Sequence, residues 1–219
     1  MTTSQQVPAM INGGLYFDGT NDNLSTSYYQ TSVTAYSIET WIKTSTTNTI
    51  LGIVNDRGYD EAGGGTGQSL TLSLGGTYHG GSNPGAGIVD YGVDSNSIYI
   101  GDYSTKTIND GYWHHIVGTW AGTGTPVTPS QFSIYIDGDP VALTAVSTGP
   151  GPTPPLSGLS GYGTKIAQHQ PWNTYLQGTL DETRISTATL SAGWIKTEYY
   201  NENSPSTFSY LNNQEQWTC

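Results

Sequence analysis

The sequence of 219 residues has little charge, few basic residues and a single cysteine. Charged residues make up 11%, and 6 lysines and arginines stand against 17 aspartates and glutamates, giving a net charge of −11. Nucleic-acid phosphates are bound through clustered lysine and arginine, so this composition argues against a nucleic-acid partner and against an acidic membrane surface. Because Cys219 is the only cysteine, no internal disulfide and no cysteine zinc cluster can form.

Long apolar runs are also missing from the chain. No run of about 18 apolar residues occurs, so no membrane-spanning helix is expected. The segment MTTSQQVP at residues 1–8 has neither a basic start nor an apolar stretch, so no secretory signal is visible. If the protein works outside the cell, two explanations of the missing signal are open. The chain is an outer protein of a virion released by lysis, or it is an excised piece of a longer secreted protein, with which a terminal Cys219 is compatible.

Glycine, serine, threonine, asparagine and tyrosine are abundant, and 16 tyrosines with 6 tryptophans can fill a core and leave rings on the surface. Short segments of alternating polarity, rich in β-branched and aromatic residues, predict strands. They lie at residues 36–43, 68–74, 112–120, 131–137 and 180–185. Asp137-Gly138 predicts a hairpin turn. Many short strands with turns between them predict two packed antiparallel sheets.

One helix is predicted, at residues 191–201, with Ser191 as its N-cap and Pro205 beyond its end. Its apolar stripe has a spacing of three to four residues and consists of Leu190, Trp194, Ile195 and Tyr199. We expect this helix to cover the side of the sandwich without a chemical role.

The domain organisation predicted is an N-terminal arm at 1–12, one domain at 13–204 and a C-terminal tail at 205–219. The proline-rich stretch 149–155 resembles a linker. The chain beyond this stretch is too short for a second core, so we interpret the stretch as a stiff surface loop.

Acidic residues near the two ends of the chain are of special interest. Strand alternation over 180–185 places Asp181, Thr183 and Ile185 on one side. A half-buried carboxylate needs a cation or several N–H donors. Asp18 and Asp22 lie in a turn rich in glycine and asparagine. If the two ends pair in one sheet, the oxygens required by a hard metal ion converge.

The order of several motifs carries a family resemblance. These motifs are LYFDGTND at 15–22, YSIETWIK at 36–43, GYWHHIV at 111–117, IYIDG at 134–138 and GTLDETRI at 178–185. Over residues 13–200 the chain resembles the laminin-G-like domains of the concanavalin A-like lectin/glucanase superfamily. The resemblance implies an all-β jelly-roll sandwich of two curved antiparallel sheets, and a structural Ca²⁺ between the N-terminal turn and the last strand.

Carried onto this sequence, the calcium ligands implied by the resemblance are Asp18 or Gly19, Asp22 and Asp181. Ligands that offer only oxygen suit Ca²⁺ better than a transition metal. The alternative is that Asp181 only accepts hydrogen bonds from backbone N–H groups, and both interpretations are open.

Some relatives in the superfamily are glycoside hydrolases, with carboxylates at alternate positions on one strand. No Glu-x-Asp-x-Glu pattern occurs here, Glu39 stands alone on its strand, and Asp181 and Glu182 are adjacent and so point to opposite faces. His114 and His115 diverge for the same reason and cannot chelate one ion together. The sequence therefore predicts that the protein is not an enzyme.

A sugar site needs aromatic faces beside amide or carboxylate groups. Three loop clusters qualify. The first is Asn55, Asp56, Arg57, Tyr59 and Asp60; the second is Tyr78, His79, Asn83, Asp90 and Tyr91; the third is His169, Trp172, Asn173 and Tyr175. For each cluster an ordinary tyrosine-rich loop is the alternative.

The sequence leaves two functions of different classes open. The first is a non-catalytic glycan-binding or adhesion domain exposed on an extracellular or virion surface, which rests on analogy of fold. The second is a structural virion component, a capsid decoration or tail protein, that acts through contacts with neighbouring proteins or as a homo-oligomer and binds no sugar.

Overall fold

The structure of the chain, a computed structural model, describes residues 5–56, 67–75, 84–95, 98–122, 125–158, 160–161, 163–169 and 173–208. Its strands in chain order are β1 Gln6–Val7, β2 Gly14–Asp18, β3 Leu24–Ser25, β4 Ala35–Lys43, β5 Leu51–Asp56, β6 Gln68–Leu74, β7 Ile88–Ser95, β8 Ile98–Thr107, β9 Trp113–Ala121, β10 Phe132–Ile136, β11 Asp139–Pro140, β12 Leu143–Ser147, β13 Lys165–Ile166, β14 Gln168–His169, β15 Thr174–Tyr175 and β16 Gln177–Ser186. The helices are α1 Ala192–Asn203 and α2 Pro205–Phe208, with a 3₁₀ turn at Pro129–Gln131.

Two sheets of seven strands form the body of the molecule, in the orders β1-β2-β16-β4-β9-β10-β11 and β12-β8-β7-β6-β5-β13-β3. We call them sheet A and sheet B. The pairings within both sheets are antiparallel, and β14 forms a small separate hairpin with β15. This architecture confirms the predicted jelly-roll sandwich, and α1 corresponds to the predicted C-terminal helix. The two ends of the chain meet as expected, because β2 pairs with β16.

The core lies between the sheets because each strand turns alternate side chains inward. On β4 the inward residues include Ile38 and Ile42, and on β6 they include Leu72. Tyr91 of β7 and Trp120 of β9 add large rings, and all five side chains are fully buried. The five strands predicted from alternation are all present. The predicted turn is also confirmed, since Asp137 (φ 58°) and Gly138 (φ 81°) both adopt the left-handed conformation that a tight hairpin needs.

The last strand of sheet A departs from simple alternation. The register shifts between Asp181, which pairs with Trp41, and Arg184, and Ile185 then pairs with Ile38. Trp41 and Ile38 lie on opposite faces of β4, so Asp181 and Ile185 do not share a face and that prediction is wrong. An extra residue in one strand inverts the alternation beyond it, and Glu182 absorbs the bend with φ 48°.

Helix α1 packs on the outer face of sheet A. Its N-cap is Ser191, as predicted, whose side chain accepts the N–H of Trp194 at 3.2 Å. Of the predicted apolar stripe, Ile195 is fully buried whereas Trp194 is 59% exposed. Trp41 anchors the helix: its indole N–H donates to Glu202 Oε2 at 2.6 Å. No helix in the described ranges is long and apolar enough to cross a membrane.

Candidate functional site

A cleft of about 500 Å³ opens at one end of the sandwich, and we call it the rim cleft. Three segments that are distant in sequence form it: the turn after β2, the loop between β4 and β5, and the β14–β15 hairpin. The described residues that line it are Gly19, Thr20, Thr47, Asn48, Thr49, Leu51, Asn173, Thr174 and Tyr175. None of these side chains carries a charge at neutral pH, so the cleft presents hydroxyls, amides and one aromatic ring.

The hairpin side of the rim cleft is held by a buried glutamine. Gln168 is 4% exposed, and its Nε2 donates to Asn173 Oδ1 at 3.0 Å and to the Tyr175 hydroxyl oxygen at 3.3 Å. Asn173 and Tyr175 act as acceptors in these two bonds. The amide N–H groups of Asn173 and the phenol O–H of Tyr175, two residues that line the cleft, therefore remain available as donors.

The β4–β5 loop contains a strained residue, Ile50, between Thr49 and Leu51, which line the rim cleft. Ile50 has φ 62°, a conformation that a β-branched residue adopts rarely and at a cost of roughly 1–3 kcal/mol. The Thr174 hydroxyl donates to the carbonyl oxygen of Ile50 and so ties the hairpin to the β4–β5 loop. Strained backbone that is held by its surroundings is typical of binding sites, where it fixes the geometry in advance.

The N-terminal turn forms the third wall. Asp18 Oδ1 accepts the N–H of Thr20 at 2.8 Å, and Asp22 Oδ2 accepts the N–H of Asp18 at 3.4 Å. Gly19 has φ 80°, and a Cβ there would lie 2.9 Å from Cβ of Gln177. The turn thus brings together Asp18, Gly19 and Asp22, which the resemblance assigns to calcium.

Asp181 lies elsewhere. Asp18 pairs with Gln177, which is four positions before Asp181 on β16, so the two aspartates are roughly 13 Å apart along the strand. Asp181 is 6% exposed, and its two oxygens accept the N–H of Ile11 at 2.8 Å and of Glu182 at 2.9 Å. These residues do not fit one ion shared by all three carboxylates. Within the described ranges no three His, Cys, Asp or Glu residues are grouped to hold a metal.

Asp181 is therefore used as an acceptor of backbone N–H groups rather than as a ligand shared with the N-terminal turn. A calcium ion in that turn stays a prediction, with Asp18, Gly19 and Asp22 as its ligands.

The other predicted ligand-binding residues are scattered. Asn55 is buried in β5, where its amide donates to Thr71 Oγ1 at 3.0 Å, and Asp56 ends that strand. Tyr91 is fully buried between the sheets, and His169 is 1% exposed. Asn173 and its neighbour Tyr175 do reach the rim cleft. Arg57, Tyr59, Tyr78, His79 and Trp172, with the neighbouring Asp60 and Asn83, lie outside the described residues.

Sequence reasoning missed a cluster of carboxylates under α1. Arg184 of β16 contacts Glu39 at 3.3 Å, Glu182 at 2.8 Å, Glu202 at 2.6 Å, and also Glu198. Burial, together with a hydrogen bond to Glu198, raises the pKa of Glu39 to about 7. The available signal was the spacing of Glu198 and Glu202, which places both on one helix face.

The two adjacent histidines diverge, as predicted. His114 lies between two aspartates, with Nδ1 2.9 Å from Asp137 Oδ2 and Nε2 3.2 Å from Asp110 Oδ1. The hydrogen bond to Asp137, reinforced by the one to Asp110, raises the pKa of His114. His115 instead packs its ring against Trp41, with centroids 5.2 Å apart.

The comparisons with known proteins agree with this fold. A family model described as the concanavalin A-like lectin/glucanases superfamily, laminin G type, matches residues 18–196. The chain belongs to this superfamily. A comparison with curated proteins gives no match.

Solved structures show the same fold at low identity. A pentraxin from Limulus polyphemus is 18% identical, with a TM-score of 0.54 over 84% of this chain and 80% of that one. Domain 4 of the extracellular arabinanase AbnA from Geobacillus stearothermophilus, in complex with arabinotriose, is 15% identical, with a TM-score of 0.58 over 87% and 78%. The binding domain of a paraclostridial mosquitocidal protein is 13% identical, with a TM-score of 0.55 over 90% of this chain and 45% of that one.

Proposed function

We propose that this chain is a non-catalytic glycan-binding domain, and that the rim cleft receives a neutral, hydroxyl-rich sugar. The observation that carries the proposal is the lining of the cleft, in which uncharged hydroxyl and amide groups surround Tyr175. Sugar hydroxyls both donate and accept hydrogen bonds, and pyranose C–H faces pack on aromatic rings. Asparagine and threonine with one tyrosine supply all three kinds of contact.

The cleft is organised in advance of binding. Gln168 fixes Asn173 and Tyr175, and the Thr174–Ile50 bond fixes the hairpin against the neighbouring loop. A ligand therefore orders few side chains when it binds, which lowers the entropic cost of association. The arabinotriose bound to the Geobacillus domain is consistent with a sugar ligand on this fold.

The carboxylates of sheet A do not favour hydrolysis. Glu39 is 6% exposed and lies beneath α1, and Arg184 links it to Glu198 and Glu202 on that helix. A general acid must reach the glycosidic oxygen of its substrate. This group instead clamps the helix to the sheet, so the proposal is binding without turnover.

Calorimetry tests the proposal directly. The probes are neutral oligosaccharides of arabinan, xylan, galactan and β-glucan, titrated into the intact chain. We expect at least one to bind, Tyr175→Ala to weaken that binding by about tenfold, and no reducing sugar to be released.

The matched control is Trp194→Ala, which removes an aromatic ring that is 59% exposed on α1. Binding should be unchanged in this variant. If no neutral probe binds, or if Tyr175→Ala binds as tightly as the parent and the Trp194→Ala control, the rim cleft is not a sugar site.

A second candidate is a structural component of a virion surface that acts through protein contacts. Trp194, Tyr200 and Phe208 support it, because they are 59%, 47% and 45% exposed near the end of the described chain. Sedimentation of the purified chain distinguishes the two functions. The second candidate expects a homo-oligomer or a particle-bound form that Trp194→Ala and Phe208→Ala weaken. Exposure at an extracellular or virion surface is part of both proposals.

A further inference from the structure

Another cleft, of about 290 Å³, lies on the outer face of sheet A. Its described lining residues are Tyr16, Lys43, Thr44, Ser45, Gly111, Gln177, Gly178 and Thr179. The β4–β5 loop separates it from the rim cleft, since Thr44 and Ser45 line this cleft whereas Thr47 and Thr49 line the other.

The register of the sheet places three of the lining residues, Tyr16, Thr179 and Lys43, in one row across the strands, and the row continues to Trp113, which does not line the cleft. Tyr16 of β2 pairs with Thr179 of β16, Thr179 pairs with Lys43 of β4, and Lys43 pairs with Trp113 of β9. Paired residues in an antiparallel sheet point to the same face. Three strand spacings of about 4.8 Å make the row roughly 14 Å long. We call these four residues the outer row.

The ends of the outer row are aromatic and accessible. Tyr16 is 41% exposed and Trp113 is half-buried. Tyr112, next to Trp113, is 73% exposed. A sheet face with a ring at each end suits a ligand that lies across the strands and packs its C–H faces on the rings.

Lys43 sits in the middle of the row with an unused charge. Lys106 pairs with Asp137, Lys196 with Asp139, and Arg184 with its four glutamates. Lys43 is exposed and has neither an ion pair nor a hydrogen bond within the described part of the chain.

The acid nearest to it in the next row, Asp181, is already committed to two backbone N–H groups. The ammonium of Lys43 is thus available to a ligand carboxylate.

From this juxtaposition we infer that the outer row binds a glycan that carries a single carboxylate, a uronic-acid residue within an otherwise neutral chain. The carboxylate meets Lys43, and the flanking sugars pack on Tyr16 and Trp113. A densely sulfated or uronic polymer is not the ligand, because a protein of net charge −11 repels a polyanion. The site is separate from the rim cleft, so it does not depend on the function proposed there.

The experiment uses pairs of oligosaccharides that differ in one group. Fragments of glucuronoxylan and of arabinogalactan that bear one glucuronic acid are titrated into the intact chain by calorimetry. Each is compared with the same fragment after reduction of its carboxylate to a primary alcohol. We expect an acidic fragment to bind about fivefold more tightly than its reduced twin at low salt, and this difference to shrink at high salt.

Variants assign the difference to residues. Lys43→Gln keeps most of the length of the side chain and should abolish the preference for the acidic twin, while Tyr16→Ala should weaken both twins alike. Lys196→Gln and Tyr175→Ala are controls that should leave the preference unchanged, the second because it alters only the rim cleft. Circular dichroism confirms the fold of each variant. Equal affinity for both twins, an intact preference in Lys43→Gln, or no binding by any fragment would overturn the inference.

Discussion

Asp181 and Ile11 are 170 residues apart in the chain, yet Asp181 Oδ2 accepts the backbone N–H of Ile11 at 2.8 Å. The same carboxylate accepts the N–H of Glu182 through its other oxygen, at 2.9 Å. One side chain therefore satisfies two backbone donors, one at each end of the domain. The contact stabilises the fold because, without it, both backbone N–H groups would be buried with no hydrogen-bond acceptor.

Asp181→Ala should destabilise the chain by about 1–3 kcal/mol, because both backbone N–H groups lose their acceptor. Urea unfolding followed by tryptophan fluorescence measures the loss. Asp22→Ala is the matched control, since Asp22 accepts one long bond of 3.4 Å in an exposed turn. Equal losses in the two variants would contradict the role given to Asp181.

Arg184→Met should destabilise the chain by about 1–3 kcal/mol, because it leaves the buried carboxyl groups of Glu39 and Glu202 without their partner. The measurement is again urea unfolding, with near-ultraviolet circular dichroism as a report on Trp41 beneath α1. Lys196→Met removes one partner of an ion pair whose side chains are 51% and 65% exposed, and should cost less than about 1 kcal/mol. A mild effect of Arg184→Met would show that the cluster does not clamp the helix.

Stability should fall as the pH rises from 5 to 8. Burial raises the pKa of Asp90 and of Asp102 to about 7 each, and burial with a hydrogen bond to Glu198 does the same for Glu39. A carboxyl whose pKa is raised on folding stabilises the fold while it is protonated. Its contribution is complete below the pKa of the unfolded chain, near 4, and is lost as the pH passes 7.

Thermal unfolding at a series of pH values tests this dependence, and the melting temperature should be several degrees higher at pH 5 than at pH 8. Glu39→Gln removes one of the three groups and should make the slope shallower. A melting temperature that rises over this interval would contradict the assignment.

Calcium should raise the melting temperature if the N-terminal turn binds it, because a ligand that binds only the folded state stabilises it, by about 2.7 kcal/mol at 100 times its dissociation constant. Native mass spectrometry with and without EDTA measures the metal content. Asp22→Asn should abolish calcium binding, and Asp181→Asn should leave it intact, because Asp181 lies roughly 13 Å from Asp18 along the strand. A chain that takes up no calcium refutes the predicted site.

Local patterns in the sequence predict the elements of this fold well. Apolar and polar residues alternate over 36–43, which predicts β4. The dipeptide Asp137-Gly138 predicts the hairpin turn. The N-cap is also predicted, because Ser191 is a serine that comes just before the helical residues of the apolar stripe. Each of these features is marked by a pattern that is local in the sequence.

The features that escape prediction depend on register or on distant loops. The alternation of 180–185 gives no sign of the extra residue at Glu182, since a bulge is set by how β16 meets β4. The resemblance implies that Asp18 and Asp181 share one ion, but Asp18 pairs with Gln177, four positions before Asp181 on β16. The distance between the two aspartates is therefore set by the register of β2 against β16, which the sequence does not show.

The rim cleft is composed of segments near residues 19, 48 and 174. The sequence pattern does not predict that the loops containing these segments meet. The sequence predicts Asn173 as a site residue because polar and aromatic residues cluster beside it. Gln168, which positions Asn173, carries no such local mark.

The position of β16 has a consequence for synthesis of the protein. This strand is the last in the described part of the chain, yet it lies inside sheet A between β2 and β4. Until residues 177–186 leave the ribosome, both neighbours have unpaired hydrogen-bonding edges, and such edges recruit strands from other chains. A nascent chain that stalls before this point therefore exposes unpaired strand edges at β2 and β4, which the finished fold covers with β16.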